Sequence, residues 1–238
     1  GQLSKAANIL TSHGLGQGNA ETLAQLQGPR TRDQGPLPPE VFNYRPTRLL
    51  RLDKDELTTN LRSAKRGLAP GPSGARLEHF KPLVEDANVW DAFALVCNKY
   101  AQADAPRTVA TAMGMCNMVA LNKDAPGHSQ AHGPSSRVRG LAVGDVIRRL
   151  VSRTLAQQFQ GEFETATAPQ QFGLASNGGV ETAVHMLRTI TAADPTATIT
   201  QIDGVGAYDH IKRSCMLGAL ARTPTAHALL PYLSLIHI

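Results

Sequence analysis

The helical rhythm of apolar positions is clearest in "VIRRLVSRTLAQQFQGEF", where Ile147, Leu150, Val151, Leu155 and Phe159 recur every three or four residues behind an N-capping Asp145. The same rhythm predicts a helix in "DKDELTTNLRSAKRG" from Asp53, burying Leu57, Leu61 and Ala64. Its acidic start and its Lys65-Arg66-Gly67 end suit the helix dipole and a glycine stop. Helices are also predicted over about 75–86 and 88–104, over about 178–192, and from about 210. The second of these is read with Trp90, Phe93, Leu95 and Val96 in the core. Alternation replaces that rhythm in "MCNMVALNK" (115–123) and "SRVRGLAV" (136–143), which read as two strands of a hairpin joined by the polar loop "DAPGHSQAHGPS". A third alternating run, "TITQI", predicts a buried strand over 197–203.

The remaining stretches are broken by glycine and proline. Residues 1–28 read as one or two short helices interrupted by the loop "SHGLGQGNAE". Its glycines follow no strand and lack the spacing of a dinucleotide loop. Five prolines over residues 29–49 predict an extended connector. In "LAPGPSG" (68–74), Pro70 and Pro72 fix φ while Gly71 and Gly74 open conformations closed to other residues, so a rigid loop is expected.

With 238 residues and 42% apolar content, the chain can bury a core as one large domain or two small ones. Its net charge of +5 permits a polyanionic partner without demanding one. Cys97, Cys116 and Cys215 are far apart and form no CxxC or Cys/His pattern, which argues against a disulfide framework or structural zinc. No long apolar run, signal segment or Asn-x-Ser/Thr acceptor occurs, so the expected location is intracellular, nuclear or cytoplasmic, with no membrane partner.

Three constellations carry candidate chemistry. Arg137, Arg139, Arg148, Arg149 and Arg153 crowd one stretch; with Lys123 they read either as a clamp for phosphate or as a solvated face. His128 and His132 are four apart but flanked by glycine and proline, which reads as a loop pair without a third ligand. In "QIDGVGAYDH", Asp203 ends the third alternating run ahead of two glycines. An Asp-Gly here either closes a strand or delivers a hard oxygen ligand to Mg²⁺ where backbone can approach a phosphate.

The order of these pieces resembles the reverse transcriptase of non-LTR retrotransposons. "APGPSG" stands where that family has a Gly-Pro-Asp-Gly loop, followed by a helix with Lys81. "MVALNK" and "RVRGLAV" stand for its lysine strand and Arg-Pro-Ile partner, "QFGLASNGG" for its Gln-x-Gly-Phe turn, and "QIDGVGAYDH" for its Asp-x-x-x-Ala-Phe/Tyr-Asp motif. The resemblance implies that Asp203 is a catalytic metal-binding carboxylate, with the Gly204 carbonyl on the same Mg²⁺. It implies that Tyr208 is a gate excluding a ribonucleotide 2′-hydroxyl, that Lys123 and Arg139 bind the triphosphate, and that Gln171 and Gly173 lie near template and incoming nucleotide. The implied partners are an RNA template, a DNA primer and deoxynucleoside triphosphates, and a nuclear location is favoured.

Ser73, Gly140 and Leu174 depart from the family's loop aspartate, fingers proline and turn phenylalanine, and no Asp-Asp pair occurs anywhere. The expected fold is therefore α+β and truncated: helix-rich fingers with an antiparallel hairpin, then the first strand of a right-hand polymerase palm. The expected divisions are 1–52 (extension and connector), 53–195 (fingers and fingers–palm region) and 196–233 (start of the palm). Residues 234–238, "SLIHI", resemble a translated sequencing adapter and are set apart as an artefactual tail. A fragment with a single palm carboxylate is expected to be inactive, since two Mg²⁺ in line need more than one carboxylate. The competing readings are a non-catalytic nucleic-acid-binding relic and an RNA-dependent RNA polymerase.

Overall fold

The computed structural model describes residues 14–28, 35–47, 49–122, 138–174, 177–202 and 211–235. In chain order the elements are α1 (Ala20–Gln27), α2 (Pro39–Phe42), α3 (Lys54–Arg62) and α4 (Leu77–Phe80) with a 3₁₀ extension (Lys81–Glu85). There follow α5 (Ala87–Ala101), α6 (Arg107–Gly114), β1 (Cys116–Asn122), β2 (Val138–Gly144), α7 (Val146–Gln158) and α8 (Gln160–Thr167). After α9 (Gly179–Ala193) and α10 (Arg213–Ala221), a 3₁₀ turn (Pro224–Leu229) leads into α11 (Leu230–Leu235). The class is α+β, mostly helical, with one two-stranded antiparallel sheet among the described residues.

Carboxylate caps begin three of the core helices. Asp53 Oδ1 accepts from the Asp55 and Glu56 amides at 2.9 Å each, Asp86 from those of Asn88 and Val89, and Asp145 from that of Ile147. Each satisfies donors that the first helical turn leaves orphaned. Behind the first cap, Leu57 and Leu61 are fully buried and Ala64 nearly so, as the apolar stripe of α3 requires. That stripe packs on α7, whose Leu150, Val151 and Leu155 are buried in turn. Between the two helices, buried Asn60 donates to Thr154 Oγ1 at 3.2 Å, and Thr154 donates on to the Leu150 carbonyl. Satisfying those polar atoms removes the cost of burying them.

Several elements differ from their sequence expectations. On α5 the buried face is Trp90, Ala94, Cys97 and Ala101, whereas Leu95 and Val96 lie on the far side, 60% and 52% exposed. One turn of helix decides this: residues three and four apart share a face, and 95 and 96 fall off the face that Trp90 starts. The helix expected to run through residue 86 tightens to 3₁₀ at Lys81, because Pro82 has no N–H to continue an α-helical ladder. The long helix after Asp145 ends at Phe159, and α8 is a separate element. Helices α6 and α11 were not expected, nor was α2, which forms inside the stretch expected to be an extended connector because Pro39 stands at the first helical position, where a missing N–H costs nothing.

The strand expected over 197–203 does not form at residues 197–202, which carry no regular structure; Ile199 and Ile202 are 55% and 89% exposed. Its last residue, Asp203, lies outside the described residues. Alternation alone cannot make a strand, since the backbone N–H and C=O groups need a neighbouring strand, and no described segment pairs with this one.

One buried cluster runs from Val41 and Leu50 through α3, α5 and α7 to Leu217, Leu230 and Tyr232. The Tyr232 hydroxyl lies 2.6 Å from Ser152 Oγ and donates to the Arg148 carbonyl, and its ring meets Tyr100 edge-on at 5.6 Å. No described helix is long and apolar enough to cross a membrane.

Candidate nucleic-acid and nucleotide interface

Pairing sets the two faces of the hairpin. Cys116 pairs with Gly144, Met118 with Ala142, Ala120 with Gly140 and Asn122 with Val138; between these, Asn117 pairs with Val143, Val119 with Leu141 and Leu121 with Arg139. Successive side chains of a strand point to opposite faces, so Arg139 shares a face with Asn117, Val119, Leu121 and Leu141. Arg139 is exposed, and among the described residues its side chain makes no hydrogen bond or ion pair.

The "PGPSG" loop docks at the base of this hairpin. Asn117 Nδ2 donates to the Pro70 carbonyl at 3.4 Å, and the Ser73 amide donates to Asp145 Oδ2 at 3.3 Å. Gly71 lies so close that a Cβ there would sit 2.6 Å from both the Gly144 carbonyl oxygen and Asp145 Cα, a separation that only glycine permits. Asp145 therefore caps α7 with one carboxylate oxygen and holds the loop with the other. That second bond was missed in the sequence, because the partners are 72 positions apart.

The arginine cluster divides. Arg148 turns inward: its Nη1 donates to the Gly114 carbonyl at 2.9 Å and to Cys116 Sγ at 3.2 Å, tying α7 to the junction of α6 and β1. Arg149 has Nε and Nη2 enclosed without a hydrogen-bond partner among the described residues. Arg153 is exposed on α7. Of the described members, Arg139 and Arg153 are exposed, and Arg148 and Arg149 are half-buried.

Gln171 and Gly173 form a local turn, the Gly173 amide donating to Gln171 Oε1 at 2.7 Å. Gln171, Phe172, Leu174, Asn177 and Thr182 line a cleft of about 440 Å³ beside the start of α9. No hydrogen bond among the described residues joins this turn to Arg139. Lys123, Asp203, Gly204, Tyr208, Arg137, His128 and His132 lie outside the described residues. Among those described, no group of three or more His, Cys, Asp or Glu side chains is arranged to hold a metal.

Titration is perturbed in the core instead. Burial pushes the Cys97 thiol up to about 12. Burial also raises Tyr232 to about 12, against the lowering effect of its Ser152 hydrogen bond.

The N-terminal segment contributes more than the sequence indicated. The Gly16 amide donates to the Ala120 carbonyl at 3.0 Å, and the Asn122 amide to the Gly14 carbonyl at 3.1 Å, an antiparallel bridge of Leu15 with Leu121 on the free edge of β1. Helix α1, capped by Asn19, follows it and contacts β2. Asn19 ahead of "AETL" was the one local signal for that helix start. No family model, curated protein or solved structure matches the chain.

Proposed function

We propose that this chain is the fingers and the beginning of the palm of an RNA-directed DNA polymerase, a surface that holds template, primer and deoxynucleoside triphosphate. The observation that carries the reading is the exposed Arg139, its side chain without a partner among the described residues, on an antiparallel hairpin with the "PGPSG" loop docked at its base. An exposed guanidinium on such a hairpin suits phosphate contact, and a net charge of +5 favours a polyanion. In this reading Arg139 and Lys123 neutralise the triphosphate, Gln171 and Gly173 border the template, and Tyr208 excludes the 2′-hydroxyl. Asp203 and the Gly204 carbonyl would hold Mg²⁺, which would polarise the reacting phosphate oxygens.

Titrating the protein into a fluorescent RNA–DNA hybrid over a salt series tests the reading. Affinity is expected to fall steeply with salt, and Arg139→Ala is expected to reduce the log–log slope by about one. Binding that ignores salt, or an unchanged slope in the variant, overturns it.

A further inference from the structure

Residues 14–27 bond to both strands of the hairpin at the same end. Besides the bridge from Gly14–Gly16 to Ala120 and Asn122, the Asn122 side-chain amide donates to the Leu15 carbonyl at 3.0 Å. On the other strand, the Val138 amide donates to Gln25 Oε1 at 3.1 Å. The two anchored residues, Asn122 and Val138, pair with each other at the outer end of the sheet. In sequence they are the immediate neighbours of Lys123 and Arg139.

Gly16 is the fulcrum. A Cβ on it would lie 3.0 Å from both Ala120 Cβ and Val138 Cγ1, so a side chain at position 16 would have to push those two side chains aside for the segment to seat against the Ala120–Val138 face. That face is opposite the one carrying Arg139, because residues 138 and 139 alternate. The segment therefore braces the hairpin from behind and leaves the cationic face open.

We infer that residues 14–27 are a strap that positions the outer end of the hairpin, with Gly16 and Gln25 as positioning residues for phosphate contact at Arg139. The inference rests on the polymerase reading for its functional half. An isolated two-stranded hairpin is marginal in water, and splaying at its outer end would let the arginine wander. A third edge strand and a side-chain acceptor on the opposite strand remove that freedom, so bound phosphate meets a guanidinium already in place.

The test compares wild type with Gly16→Val, Gln25→Ala and Arg139→Ala in the full chain. It reads amide hydrogen exchange at Asn122 and Val138, the melting temperature, and the Kd for deoxythymidine triphosphate with Mg²⁺. In Gly16→Val, exchange is expected to quicken at both amides by about three- to tenfold, the range a lost hydrogen bond gives, with the Kd rising by a similar factor. Gln25→Ala is expected to quicken Val138 alone, and it serves as the decisive variant should valine at position 16 unfold the protein. Unchanged exchange overturns the strap. Quickened exchange with an unchanged Kd, where Arg139→Ala does raise it, overturns its positioning role. If wild type binds no deoxynucleotide, the polymerase reading fails by itself and the exchange data alone decide whether the strap exists.

Discussion

The guanidinium of Arg148 donates inward to Gly114 and Cys116, while that of Arg139 stands in solvent with no described partner. Their variants should separate accordingly. Arg148→Ala removes the two part-buried hydrogen bonds that tie α7 to the α6–β1 junction and is expected to cost about 1–3 kcal/mol in urea unfolding. Arg139→Ala should leave the urea midpoint in place and weaken only the binding of phosphate-bearing ligands, nucleotide and nucleic acid alike. Cys97 and Tyr232 give a pH prediction. The thiol lies at about 12 in the folded protein against an ordinary 9.0, and the phenol at about 12 against 10.0. Above pH 9 the unfolded chain releases protons that the folded chain retains, so stability is full below that pH and falls as pH rises toward 12. Urea midpoints across that window should decline less steeply in Cys97→Ala than in wild type, from a lower starting value set by the cavity. An equal slope in the two proteins would contradict the burial of that thiol.

At the scale of elements, Asp145 connects α7 to the "PGPSG" loop, and Asp145→Ala should lower stability by about 1–2 kcal/mol, the usual cost of a lost cap. It should also quicken exchange at the Ser73 amide, whereas Asp53→Ala, which removes a cap of similar worth, should leave Ser73 untouched. The capped helices were legible in the sequence because their signals are local: a carboxylate, then apolar residues at helical spacing, as in Asp53 with Leu57 and Leu61. The hairpin was legible through its alternation, within two residues at each end. What could not be read depends on distant partners. The outward turn of Leu95 and Val96 follows from where α5 meets the core, and the strap depends on Ala120 and Val138, more than a hundred residues from Gly16. The same limit explains residues 197–202, where the alternation is present and no pairing neighbour stands among the described residues. Of the candidate site, the place of Arg139 on a strand of the hairpin was legible, and the inward turn of Arg148 was not.

Taken as a whole, the described residues join Val41 and Leu50, helices α3, α5 and α7, and Leu217, Leu230 and Tyr232 in a single core, and the hairpin stands at one side of it. The chain contains one Asp-Gly candidate for a catalytic carboxylate and no Asp-Asp pair. Bound to a primed RNA template with Mg²⁺, it is expected to incorporate no labelled deoxynucleotide above an Asp203→Ala control, since two-metal transfer needs more than one carboxylate. Incorporation above that control would overturn this expectation. The most direct test of the central claim is equilibrium binding of a labelled deoxynucleoside triphosphate to the 238-residue chain, with and without Mg²⁺, in wild type, Arg139→Ala and Asp203→Ala. The polymerase account predicts binding that requires Mg²⁺, weakens in Arg139→Ala and is lost in Asp203→Ala. Binding that is indifferent to Mg²⁺ and survives Asp203→Ala would contradict it, leaving a basic surface that holds nucleic acid by charge alone.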